Sequence, residues 1–185
     1  MSVGNLFDTS SNSVDDQDYD GSYLRCVLFK LDTEKYGINV QRVREVLRVS
    51  EIRPVPGSPF DVLGVINVRG VIVTVLDTRQ FFKLYSGPIT DLSRIIIIEQ
   101  QDQVLGLLVD EVDEVRDIQE NHIDSVGAIG DDSNNRMIQG IAHVGNDGVI
   151  IIIEPEKFFD GGVSGHSMGT APSVAIDSAG DDDLF

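Results

Sequence analysis

Short apolar runs separated by Gly, Asp, Asn and Pro recur through the middle of the chain, at 23–31, 62–68, 71–76, 94–99, 104–109, 112–118, 138–144 and 149–153. Runs of this length, rich in Val and Ile and punctuated by turn residues, predict the strands of an all-β barrel or sandwich. Two connections read as hairpin turns, Gln101-Asp102 and Asn146-Asp147-Gly148, the latter with a glycine able to supply a left-handed angle. The unbroken isoleucine runs 95–98 and 150–153 lack polar alternation. They predict strands covered on both faces, and hence a closed or doubly packed sheet.

Three segments depart from this pattern. Over 40–48, Val40, Val43, Val46 and Leu47 fall at helical spacing among Gln41, Arg42, Arg44, Glu45 and Arg48, which predicts a short amphipathic helix. At 155–159, Pro155 opens a helical turn whose Phe158 and Phe159 dock on the barrel. After the 71–76 strand, Asp77 is placed to cap a further turn carrying Phe81 and Phe82 inward. Between the 62–68 and 71–76 runs stand Arg69 and Gly70. Gly70 permits a sharp reversal, so Arg69 sits where the chain turns. A guanidinium there stays in water, pairs with a carboxylate of the same chain, or forks onto a partner.

Composition narrows the picture. A chain of 185 residues with 41% hydrophobic content supports one core-bearing domain. The net charge of −17 is unevenly placed: no Lys or Arg lies before Arg25 or after Lys157. Residues 1–22 and 160–185 are Ser-, Gly- and Asp-rich, and they read as flexible acidic tails around a body at 23–159. Without a basic patch a nucleic-acid partner is disfavoured. The lone cysteine, Cys26, lies in an apolar run and reads as a buried hydrophobe in a reducing compartment. No run is long enough to span a bilayer, and the acidic start is unlike a secretory signal, so a cytoplasmic location without direct membrane insertion is expected.

Catalytic chemistry finds little support. Val75-Leu76-Asp77-Thr78 and Phe7-Asp8-Thr9-Ser10 look like aspartic-protease fragments. Such an enzyme needs two carboxylates held together, with a small residue following, whereas Arg79 fills that position and Asp8 lies in a tail. His122, His143 and His166 are far apart and have no second ligand at metal-binding spacing. His143 reads as a hydrogen-bonded structural histidine and His122 as an exposed loop residue. No phosphate loop or nucleophile elbow is present, so the reading is a non-enzyme without cofactor or metal.

The order of several fragments resembles the CheW-like family of chemotaxis coupling proteins. These are Tyr36-Gly37-Ile38, Val43-Arg44-Glu45-Val46, Val55-Pro56-Gly57-Ser58-Pro59, Gly64-Val65-Ile66-Asn67-Val68-Arg69-Gly70 and Val75-Leu76-Asp77-Thr78-Arg79. Gly106-Leu107-Leu108-Val109-Asp110, Val112, Glu114-Val115 and Gly140-Ile141-Ala142 continue the series. Val68, Thr74 and Thr78 depart from the family's usual leucine, proline and leucine. The resemblance implies a mainly β domain of two interlocked five-stranded SH3-like barrels. It further implies a non-catalytic adaptor between chemoreceptor cytoplasmic tips and the regulatory domain of the histidine kinase CheA, recruited to membrane-associated arrays. Val43, Glu45 and Arg69 are the implied partner-binding residues, although Glu45 and Arg69 could equally bridge each other. A coupling protein of a pilus-type array and a small-ligand-binding β-barrel are the competing functions, the latter disfavoured by almost purely aliphatic runs. The tail fragments Leu6-Phe7-Asp8 and Asp181-Asp182-Asp183-Leu184-Phe185 either dock in a basic-rimmed groove or stay solvated, and their charge favours the second.

Overall fold

The computed structural model describes residues 21–125, 137–145 and 148–160. The tails and the Asn146-Asp147 part of the second expected hairpin lie outside these residues. In chain order the elements are β1 (Tyr23–Leu31), β2 (Glu34–Asn39), a 3-10 turn (Val40–Arg42), β3 (Val43–Arg48), β4 (Val62–Val68), β5 (Val71–Asp77), α1 (Thr78–Phe81) and β6 (Arg94–Gln100). There follow β7 (Gln103–Val109), β8 (Glu111–Gln119), a second 3-10 turn (Glu120–His122), β9 (Ile123–Asp124), β10 (Ile138–His143), β11 (Val149–Ile153) and α2 (Glu156–Asp160).

Two sheets interlock. One runs β8-β1-β2-β11-β10-β9 and the other β3-β6-β7-β5-β4, so the chain leaves the first sheet after β2 and returns to it at β8. We call them barrel A and barrel B. Each has one parallel pair, β2 with β11 in A and β5 with β7 in B. Barrel B closes where Arg53 exchanges two backbone hydrogen bonds of 2.9 Å with Val65 of β4. In barrel A the short β9 takes the matching place beside β10.

The apolar side chains divide into three clusters. Cys26, Leu28, Ile118, Ala142, Ile150 and Ile152 fill barrel A, and Ile66, Val73, Val75, Ile95 and Ile97 fill barrel B. Between them a shared core takes Val27 and Phe29 from one sheet and Ile96 and Ile98 from the other. The isoleucine run 95–98 therefore feeds two clusters by strand alternation, and its four side chains are fully buried, each worth roughly 1.5–3 kcal/mol. The two short helices seal the junction: Phe81 and Phe158 meet with ring centroids 4.6 Å apart, and Phe82 stacks on Tyr36 at 5.5 Å. Asp77 caps α1 as expected, accepting the Gln80 amide. Thr78, wholly buried beside it, has a hydroxyl without a hydrogen-bond partner among the described residues.

One expected element is corrected. Residues 40–48 do not form an amphipathic helix; the 3-10 turn occupies 40–42, and 43–48 is strand β3, hydrogen-bonded to β6. Over so few residues the apolar spacing suits either period, and the β-branched valines together with an open edge on β6 favour the extended form. The half-buried face is then Val43, Glu45 and Leu47, with Arg44, Val46 and Arg48 outward. His143 is also unlike its reading: it is exposed on β10, with Nε2 3.5 Å from the Asp124 carboxylate. Burial pushes the Cys26 thiol up to about 12, which leaves it protonated and inert.

Candidate partner-docking site

The β4–β5 connection is a two-residue hairpin in which Val68 pairs with Val71. Arg69 and Gly70 both have positive φ, 51° and 88°, which suits the twist of the flanking strands. Asn67 locks the reversal, its Oδ1 accepting the Gly70 amide at 2.8 Å. An arginine in the left-handed region is costly by itself, and the structure compensates it with a partner. Arg69 Nη1 and Nη2 donate to Glu45 Oε1 and Oε2 at 3.1 and 2.8 Å.

Sequence reading left open whether these two charges meet; they do, in a fork-to-fork pair between the hairpin tip and β3. The partners are unequal. The Glu45 side chain is 16% exposed and the Arg69 side chain 75%. The carboxylate anchors one face of a guanidinium whose other face stays in water. Glu45 reaches this position because β3 carries a bulge: Val43 opposes Ile98 and Glu45 opposes Ile97, so Arg44 is the extra residue. The hollow below, lined by Val68, Val71, Ile97 and Val104, has a volume of about 60 Å³. A small-ligand site takes several hundred.

Val43 is half-buried against the shared core, so its side chain is committed to packing. Outward apolar surface near the rim comes instead from Val46, Val71 and Ile72, the last 64% exposed. Sequence reading passed over Val46 because the helical assignment of 40–48 turned it inward, and over Val71 and Ile72 because the 71–76 run was read only as a strand. Among the described residues no cluster of three or more His, Cys, Asp or Glu could hold a metal ion, and no helix is long and apolar enough to cross a membrane.

A second polar constellation also went unread. Arg79 Nε and Nη2 donate to the Asp110 carboxylate at 2.8 and 2.5 Å, and Nη1 donates to the Tyr85 carbonyl at 3.1 Å. Asp110 Oδ2 also accepts the Asp32 amide at 2.6 Å. Gly87 lies so close that a Cβ there would stand 2.7 Å from the Arg79 Cζ. The hydrogen bond to Asp110, and the carboxylates around it, raise the Arg79 pKa further. Asp110 lies between β7 and β8, so this hub ties α1, the crossover between barrels, the β1–β2 turn and the 82–93 connection into one unit.

The chain has counterparts among known proteins. A CheW-like domain family matches residues 25–162. The chain belongs to the CheW-like family. It is 36% identical over 101 residues to the chemotaxis protein CheW of Bacillus subtilis (strain 168), an alignment covering 55% of this chain and 65% of that protein, just under two thirds. With the chemotaxis protein CheW of Treponema pallidum (strain Nichols) it shares 26% over 137 residues, covering 72% and 80%. Among solved structures it is similar to the scaffolding protein TtCheW of Thermoanaerobacter tengcongensis, with a TM-score of 0.66 and 34% identity over 75% of this chain and 88% of that one. The CheW-like family is one of scaffolding adaptors.

Proposed function

We propose that this CheW-like domain couples chemoreceptor cytoplasmic tips to the regulatory domain of the histidine kinase CheA, using the rim formed by Glu45 and Arg69. The supporting observation is the unequal exposure of that pair. A guanidinium pinned on one face by a nearly buried carboxylate presents its remaining donors in a fixed orientation, which lowers the ordering entropy of docking. Beside it, exposed Val71 and Ile72 offer apolar surface of the sort an amphipathic receptor helix covers. Single contacts of this size are weak, and an array multiplies them.

Titration of receptor-tip and kinase-domain fragments against Arg69→Ala and Glu45→Ala tests the reading. Arg69→Ala is expected to weaken at least one partner about tenfold or more, as loss of an interface arginine does. Glu45→Ala should weaken the same partner by freeing the fork. Full-strength binding of both fragments by both folded variants would sink this use of the rim.

A further inference from the structure

The outer face of β3 is short of negative charge in a chain of net charge −17. In barrel A the outward cations meet carboxylates across the strands: Arg25 with Asp117 at 2.6 Å and Lys30 with Glu111 at 2.9 Å. On β3 the outward row is Arg44, Val46 and Arg48. Arg44 lies 3.7 Å from Glu99. Arg48 has no carboxylate within ion-pair reach among the described residues and stands opposite another cation, Arg94, in the β3–β6 register. Like charges directly opposite are unfavourable. Arg94 donates to the carbonyls of Asp91 and Ser93, at 2.7 and 2.8 Å, and to no carboxylate among the described residues. Arg48, Val49, Ile89, Asp91 and Arg94 line an open cleft, with Ile89 52% exposed. Asp91 offsets part of the charge, leaving two arginines against one carboxylate in a mainly polar cleft, with Ile89 and the edge of Val49 as its apolar part.

We propose that residues 181–185 of this same chain, Asp181-Asp182-Asp183-Leu184-Phe185, dock in this cleft, the aspartates on Arg48 and Arg94 and the Leu-Phe pair on Val49 and Ile89. The charges are complementary, since no Lys or Arg follows Lys157. The tether reaches. Glu156 of α2 lies 2.6 Å from Arg42, immediately before β3, so the chain leaves the described fold beside the start of the strand. The cleft is at the strand's far end, about 20 Å away at ~3.3 Å per residue. Residues 161–180 intervene, and a chain of that length can cover that span with slack, which keeps the local concentration of 181–185 high. Docking covers the far end of an edge strand, and none of the residues lining this cleft lines the hollow at the Glu45–Arg69 rim.

The test compares amide NMR spectra of the full chain with those of Asp181→Asn/Asp182→Asn/Asp183→Asn and of a chain ended after Gly180. Shift differences confined to residues 46–49 and 89–94, fading as salt rises from about 0.05 to about 0.5 M, are expected. Arg48→Glu in the full chain should reproduce them, and removing 181–185 from that variant should add nothing. Superimposable spectra would overturn the proposal. So would differences that grow with protein concentration, which assign the cleft to a second copy, or differences that follow removal of 1–20 instead.

Discussion

Gly64 of β4 and Gly140 of β10 occupy matching places in the two barrels, each where the sheet closes. So do Gly106 of β7 and Gly37 of β2, each flanked by one parallel and one antiparallel neighbour. An added Cβ would meet Ile95 at 2.9 Å in one case and Ile152 at 2.9 Å in the other. The match extends to the bulges: Arg44 is the extra residue in β3, and β8 carries one beside β1. Against this common frame the differences stand out. Barrel B closes with a single residue, Arg53, and carries a tight Arg-Gly hairpin braced on Glu45. Barrel A closes with a two-residue strand and covers its β1–β8 face with cross-strand ion pairs. The shared features are those that packing demands, whereas the exposed Arg69 at the braced hairpin of B is required by neither closure nor core, which is why it is the candidate for recognition.

Closure is where breaking the match has the largest expected effect. At Gly64 a Cβ would lie 2.2 Å from the Arg53 carbonyl oxygen, and its φ of 149° disfavours side chains. Gly64→Ala is expected to cost roughly 3 kcal/mol or more in urea unfolding, because backbone must move. Gly140→Ala meets Ile123 at 2.6 Å and the Asp124 carbonyl at 2.8 Å, both in the short β9. That strand yields more easily, and about 1–2 kcal/mol is expected. Equal costs would show that the two closures are mechanically alike. Next comes the tie between barrels: Arg79→Ala should lose about 2–3 kcal/mol, with Arg79→Lys recovering only part, since an ammonium cannot fork onto Asp110. A loss below 0.5 kcal/mol, roughly the scatter of a surface substitution, would reduce the hub to decoration.

Much of this frame was legible in the sequence. The apolar runs mark most of the strands because Val and Ile strands bounded by turn residues leave few alternatives, and Asp77 announces its cap. Strand β2 was less visible, since Glu34, Lys35 and Gly37 interrupt its apolar pattern, and it appears only as Tyr36-Gly37-Ile38 within the family resemblance. β3 was misread because six residues cannot separate a period of 2 from 3.6. Glu45 and Arg69 were identified, but their meeting depends on a bulge and a hairpin tip whose positions no local pattern encodes. The Arg79–Asp110 hub was invisible for the same reason: its members lie 31 residues apart and join only when the chain crosses between barrels.

A smaller effect is expected at Thr78. Its hydroxyl is buried without a partner where α1 begins, and the fold gains nothing from the group it has desolvated. Thr78→Val keeps the shape and removes the polar atom, so unfolding should become harder by about 1 kcal/mol. A destabilised variant would mean that the hydroxyl finds a partner in solution, and that the junction near α1 is wetter than the filled interiors on either side.

The smallest effect separates the outer faces of the barrels by pH. The hydrogen bond from Arg25, with its charge, holds the Asp117 carboxyl below its ordinary range, while partial desolvation opposes the shift. A folded pKa below the unfolded one means that the unfolded chain binds more protons. The contribution is therefore present above the ordinary carboxylate pKa and lost as pH falls through the folded value. Both partners are solvent-exposed, so the effect is slight and salt-sensitive. Asp117→Asn should leave the neutral-pH midpoint little changed and flatten the acid limb of stability against pH. Amides of β1 and β8 should then exchange faster than those of β3 and β6 as wild-type solutions are acidified. Uniform loss of protection across both barrels would show that the ladder on A has no separate role, and that acid acts on the shared core as a single unit.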